Sequence, residues 1–187
     1  MINQLFGNKD NFAIEYGISK AYKQIGLRAL GYFVIYINGK LYGIKSNDAT
    51  CLANSYNTII ERLEMKGKHK TTFSNETNPE TIANAMIYAI YSPIEKTIFP
   101  EINVKDELYT NKIIWAPDGD EAFDDGSFVL QFDIDNNVRI IGFRFNSDYE
   151  CEKDSISETW IDQNAYYKIL TEWRISFDNE WNKLEKE

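Results

Sequence analysis

Two residues, Asn38-Gly39, constrain the fold of this chain more than any others. They stand between Ala29 to Ile37, rich in aromatic and β-branched side chains, and Lys40 to Ile44. Asn-Gly supplies the two left-handed positions of a type I′ turn, whose twist matches that of paired strands. The segment therefore predicts an antiparallel β-hairpin, with its first strand buried on at least one face. A second hairpin obeys the same logic. Phe128, Leu130, Phe132 and Ile134 alternate with Val129, Gln131 and Asp133; Asp135-Asn136-Asn137 makes the turn and Val138 to Phe145 returns. Phe12 to Ile18 reads as an earlier strand.

Helices are predicted between and after the hairpins. Asp48 can cap one whose apolar positions Leu52, Tyr56, Ile59, Ile60 and Leu63 keep helical spacing, with Gly67 as its stop. Asn78-Pro79-Glu80 is a cap followed by proline at the first helical position. That helix runs through Ile82, Ala83, Met86, Ile87 and Ile90 and stops before Pro93. Residues 92–117 hold three of the four prolines and read as a connector, with a short strand near Ile113-Ile114-Trp115. From Glu158 to Glu187 the residues Ile161, Ala165, Ile169, Leu170, Trp173, Phe177, Trp181 and Leu184 form one helical stripe. A helix of that length is about 45 Å long, against about 40 Å for the domain, so it spans the molecule or breaks around Ser176 to Asn179. The fold class is α+β: an antiparallel sheet built from two or more β-hairpins, with helices packed on one face and a long C-terminal helix. Without an internal repeat or a separating linker, residues 1–187 read as one domain.

Composition excludes several classes. Eleven Phe, 12 Tyr and 4 Trp in 187 residues are far too many aromatics for a disordered chain. No uninterrupted apolar run exceeds seven residues, against the ~20 of a membrane span. The opening MINQLFGNKDNF has neither the charged nor the apolar region of a signal peptide. Cys51 and Cys151 show no CxxC or Cys/His spacing, so they read as free thiols of a cytoplasmic protein. Neither a membrane nor a cofactor is implied.

Charge is the uneven property. Residues 1–117 carry 13 Lys/Arg and 11 Asp/Glu, a net of +2, whereas residues 118–187 carry 7 and 18, a net of −11. Such a field repels nucleic acid and attracts a basic partner. The short run Lys66-Gly67-Lys68-His69-Lys70 does not reverse this, since cations after a helix complement its dipole.

Catalytic signals are sparse. His69 is the single histidine and stands beside no obvious nucleophile, so no catalytic residue is assigned. Glycines at 26–31 and 39–43 lack phosphate-loop patterns. Asp118 to Asp125 fails the calcium-loop test, because positions 5, 6 and 12 counted from Asp118 are Ala122, Phe123 and Val129. What remains is the clustering of carboxylates. Asp118, Asp120, Glu121, Asp124 and Asp125 precede the second hairpin; Asp148, Glu150, Glu152 and Asp154 come after it. Because hairpin strands are antiparallel, both acidic loops emerge at one end. Trp115, Phe123 and Tyr149 supply aromatic anchors amid the charge, a composition suited to a protein-binding surface. The candidate contact set is Trp115, Asp118, Asp120, Glu121, Phe123, Asp124, Asp125, Asp148, Tyr149, Glu150 and Glu152.

The N-terminal third carries a resemblance. Phe6-Gly7-Asn8, then Asn11-Phe12-Ala13-Ile14-Glu15-Tyr16, then Gly31-Tyr32-Phe33-Val34-Ile35-Tyr36-Ile37-Asn38-Gly39-Lys40 and Gly43 resemble bacterial immunity proteins of the immunity protein 42 group. These are antidotes of polymorphic-toxin and contact-dependent growth inhibition systems. The resemblance implies a cytoplasmic, non-enzymatic inhibitor that binds a cognate toxin C-terminal domain and occludes its active site or an adjoining surface. A nuclease toxin, whose substrate face is basic, would suit the acidic inhibitor. Two other readings stand beside it: a divalent-metal-dependent enzyme built on the Asp118 to Asp125 cluster, and an adaptor subunit with a non-toxin partner. A surplus of exposed aromatics on the last helix would permit a homodimer.

Overall fold

In a computed structural model of the chain, which describes residues 2–93, 96–117 and 119–187, the Asn38-Gly39 turn closes a hairpin between β3 (Ala29–Ile37) and β4 (Lys40–Tyr42). Both turn residues have positive φ, 47° and 82°, which is the backbone that the Asn-Gly pair tolerates best. Upstream lie β1 (Ile2–Gly7) and β2 (Phe12–Ala21), and the two-residue β5 (Thr50–Cys51) pairs with the start of β3. These five strands make one antiparallel sheet in the order β1-β2-β3-β4, with β5 beside β3. The second predicted hairpin is β7 (Phe128–Ile134) and β8 (Asn137–Phe143). With β6 (Ile114–Ala116) and β9 (Ser157–Asp162) it forms a second antiparallel sheet, β6-β7-β8-β9.

Among the described residues four helices complete the fold: α1 (Ala53–Glu64), α2 (Pro79–Ile90), α3 (Val104–Thr110) and α4 (Gln163–Lys183). The α+β class stands, with its hairpins shared between two sheets. One apolar cluster lies between them: Ile14, Tyr16, Phe33 and Ile35 from the first sheet meet Val129, Val138 and Ile140 from the second. Ile59 of α1 and Leu170, Trp173 and Phe177 of α4 join the same cluster. The opposite face of the second sheet, with Phe128, Leu130, Phe132, Ile141 and Phe143, packs on Ile82, Met86 and Ile87 of α2 and Leu108 of α3. Among the described residues no helix packs over the opposite face of the first sheet.

Several boundaries differ from the sequence expectation, each for a physical reason. Asp48 does not cap α1, whose cap position is Leu52 with no side-chain bond. Thr50 and Cys51 first pair with Gly31 and Leu30, so the chain is still extended where Asp48 would have had to act. Instead Asp48 accepts from Ser46 Oγ. Asn78 caps α2 as expected, accepting from the Glu80 N–H at 2.9 Å. The connector contains α3, capped by Asn103, which weak periodicity over seven residues concealed. The C-terminal helix is shorter than its stripe. Residues 157–162 pair with β8 instead, because the edge of that strand offers hydrogen bonds to an alternating segment. Asp162 then caps α4 through the Ala165 N–H. The remaining 21 residues measure about 32 Å, which fits the molecule without a break at Ser176 to Asn179. The aromatics of α4 are not exposed: Tyr166, Tyr167, Trp173 and Phe177 are buried, and the half-buried Trp181 donates its indole N–H to the Arg28 carbonyl at 2.8 Å.

Candidate functional site

The acidic segment before β7 folds as one tight turn at Glu121–Phe123, capped by Asp120. Asp118 lies outside the described residues. Asp120 is 5% exposed and accepts from Thr50 Oγ1 at 2.8 Å, from the Ala122 N–H at 3.0 Å and from Ser55 Oγ. It is a clamp joining this loop to β5 and α1, and no partner could touch its carboxylate. Phe123, 3% exposed, lies edge-on to Phe33 in the core. Trp115, 2% exposed, packs on Phe12 and Tyr166 beneath the Arg62 guanidinium. Trp115, Asp120 and Phe123 therefore leave the contact set. An aromatic next to acidic residues in sequence still goes to the core when its backbone turns inward, since burying it gains roughly 1.5–3 kcal/mol.

The remaining members do come together. Glu121, Asp124, Asp125, Asp148, Glu150 and Glu152 are exposed and Tyr149 is half-buried. Arg144, just after β8, joins the two loops. Its Nη2 donates to Asp125 Oδ2 at 2.7 Å and to Ser127 Oγ at 3.0 Å, while its carbonyl accepts from the Glu152 N–H at 2.9 Å. The second loop is held by Asn146, whose Oδ1 accepts from the Asp148 and Glu150 N–H groups at 3.0 and 3.1 Å. Tyr149, at φ 59°, stacks on Phe145, which packs in turn on Phe128 and Tyr91. Tyr91 is 38% exposed, so Tyr91 and Tyr149 are the aromatics this end presents. Sequence reasoning missed Tyr91 and Arg144. Tyr91 comes after the last helical residue before Pro93 and carries no local signal, and Arg144 reads as one cation within a strand.

Two other polar constellations exist. On the helix-free face of the first sheet, Glu15 accepts from Lys45 and Lys9 at 2.5 and 3.0 Å and from the Tyr32 and Tyr36 hydroxyls at 2.9 and 3.0 Å. Burial alone would raise its pKa, but the two ammoniums and two hydroxyls outweigh it and hold the carboxyl at about 2. In the core, Arg62 donates to the Lys112 and Ile114 carbonyls and to Gln131 Oε1. Tyr167 donates to Asp133, which also accepts from the Gly67 N–H. The His69 ring is fully buried, with Nδ1 3.0–3.1 Å from the Lys112 and Asn111 carbonyls. Burial and the neighbouring Arg62 push its pKa below the usual 6.5, so at neutral pH it is an uncharged N–H donor. Among the described residues no three His, Cys, Asp or Glu converge as metal ligands, both cysteines are free thiols, and no helix is long and apolar enough to cross a membrane.

The family model described as immunity protein 42 matches residues 1–176. The crystal structure of CdiI from Burkholderia dolosa AUO158 is similar in fold. At 15% sequence identity it has a TM-score of 0.58, covering 92% of this chain and 99% of that one. No curated protein matches the sequence.

Proposed function

The chain belongs to the immunity protein 42 family, so it is an immunity protein, a non-enzymatic neutraliser of a toxin, and we propose that it holds that toxin on the face built by its two acidic loops. The observation that carries this reading is the lock between the loops. Arg144 bonds both of them, so Glu121, Asp124, Asp125, Asp148, Glu150 and Glu152 stand as one charged end around Tyr149 and Tyr91.

Pre-ordered loops of one charge steer an oppositely charged partner and hold its orientation, while half-exposed tyrosines supply apolar contact. The partner is accordingly a basic toxin C-terminal domain, and occlusion of its active site or an adjacent surface is the mode of neutralisation. A nuclease fits best, because a row of carboxylates can occupy a surface built for phosphates. Residues 1–187 act as one domain, consistent with a core drawn from both sheets, and the site of action is the cytoplasm.

The experiment is capture of the cognate toxin domain with the tagged protein from its native lysate, followed by association kinetics. Glu121→Lys, Asp124→Lys and Glu152→Lys together should slow association by at least about tenfold at low salt, and the wild-type rate should fall steeply with ionic strength. An unchanged rate in the triple variant, or a flat salt profile, would sink the acidic-face assignment while leaving family membership intact.

A further inference from the structure

Sheet edges are normally guarded by charge, proline or brevity, because an open edge invites another strand. Three of the four edges here obey that rule. β4 and β5 have three and two residues; β6 has three and runs into Pro117; β9 carries Glu158 and Asp162. The fourth edge, β1, is six residues long, INQLFG, with no charge and no proline. It ends the first sheet, and among the described residues only β2 hydrogen-bonds to its backbone.

Apolar surface flanks this edge on both sides. Leu5 faces the helix-free side, opposite Glu15 in the register, and is 46% exposed. On the other side a groove of about 480 Å³ runs between Gln4 and the stretch from Glu172 of α4 to Leu184 just past it, and Ile175 in it is 49% exposed. Helix α4 runs antiparallel to β1. A side chain at Gly7 would meet Ile169, whereas Gln4 bonds Ser176 and Glu180 further along the helix.

We propose that the occupant of this edge is a second copy of the chain, docked antiparallel on β1 so that two five-stranded sheets become one of ten strands. Charge self-complementarity favours a second copy over any other occupant. A twofold axis beside Gln4, perpendicular to the sheet, also passes α4 between Ser176 and Glu180. Glu172 lies four residues before Ser176 and Lys183 three residues after Glu180, so antiparallel copies of α4 set Glu172 of each against Lys183 of the other. Among the described residues of its own chain the one ion-pair partner of Glu172 is the exposed Lys168, at 3.7 Å. Leu5 comes beside Asn3 of the other copy, and Ile175 loses its solvent. Such an isologous contact satisfies both edges at once and closes. None of the acidic-loop carboxylates lines the groove, so the dimer is independent of the toxin reading.

Sedimentation velocity of the full chain over a wide concentration range tests this. The wild type should reach twice the 21.8 kDa of one chain. Leu5→Lys should sediment as one copy with unchanged circular dichroism and melting temperature. Glu172→Lys and Lys183→Glu should each weaken the dimer, and the two combined in one chain should restore it, a rescue that a merely structural role would not give. A wild type at single mass throughout the range overturns the proposal. So does a Leu5→Lys chain that stays paired. A monomer whose β1 amides become protected from exchange only on adding toxin overturns it too, and hands the edge to a toxin strand.

Discussion

Glu15 offers the sharpest energetic test of the fold. Its carboxylate, 5% exposed, receives two ammoniums and two hydroxyls on the helix-free face of the first sheet. Its pKa of about 2 in the native protein compares with 4.5 for an ordinary glutamate. The gap is worth about 3 kcal/mol of stability at pH 7, at about 1.4 kcal/mol per unit. Lys9 and Lys45 are 40% and 39% exposed, so solvent screening trims this to about 2–3 kcal/mol. Proton uptake sets the sign. Above pH 4.5 both folded and unfolded chains carry the charge and the stabilisation is complete; as pH falls from 4.5 toward 2 only the unfolded chain takes a proton, and the stabilisation is lost. Glu15→Gln should therefore destabilise by about 2–3 kcal/mol at pH 7, and the deficit should shrink by about 1.4 kcal/mol by pH 3.5. Urea unfolding of both proteins at the two pH values measures it, and taking the difference cancels the other 28 carboxylates. A deficit that is the same at both pH values would refute the reasoning, because the contribution would then be packing and not charge.

Three further outcomes are expected. Asp120→Ala should cost about 2–3 kcal/mol in urea unfolding, since Thr50, Ser55 and the Ala122 N–H lose their acceptor, whereas Glu121→Ala next to it should stay within about 0.5 kcal/mol. In Gly31→Ala the new methyl would collide with the Gly17 carbonyl across β2 and β3, so the melting temperature should drop by the equivalent of about 3 kcal/mol; a thermal scan decides it. Because His69 has its pKa below 6.5 in the folded chain, the unfolded chain takes up the proton first on acidification. The wild type should thus lose stability relative to His69→Gln as pH falls from 7.5 to 5.5, read from urea midpoints.

Local chemistry carries much of the architecture. Asn38-Gly39 can hardly make anything but a hairpin turn between two such strands, and the alternation of Phe128 to Ile134 pairs it with the returning strand, which begins at Asn137 after an Asp135-Asn136 turn, one residue earlier than the sequence suggests. Asn78-Pro79 starts α2 where capping requires. The acidic character of the end where β7 begins and β8 stops was equally legible, because antiparallel connectivity brings residues 119–126 and 144–154 together whatever the rest of the chain does. The N-terminal pattern also suffices to place the chain in its family.

Other features are decided by partners distant in sequence. Residues 157–162 are a strand because β8 has a free edge, although Ile161 fits a helical stripe equally well. Burial is the clearest case. Asp120 and Glu121 are adjacent carboxylates of the same loop, yet one clamps Thr50 and Ser55 and the other meets water. Trp115 and Phe123 read as anchors among charges and are core residues, while Tyr91, just beyond the end of α2, supplies surface. Periodicity reports which way neighbouring side chains point relative to one another; which of those directions is inside depends on the long-range packing of two sheets and four helices.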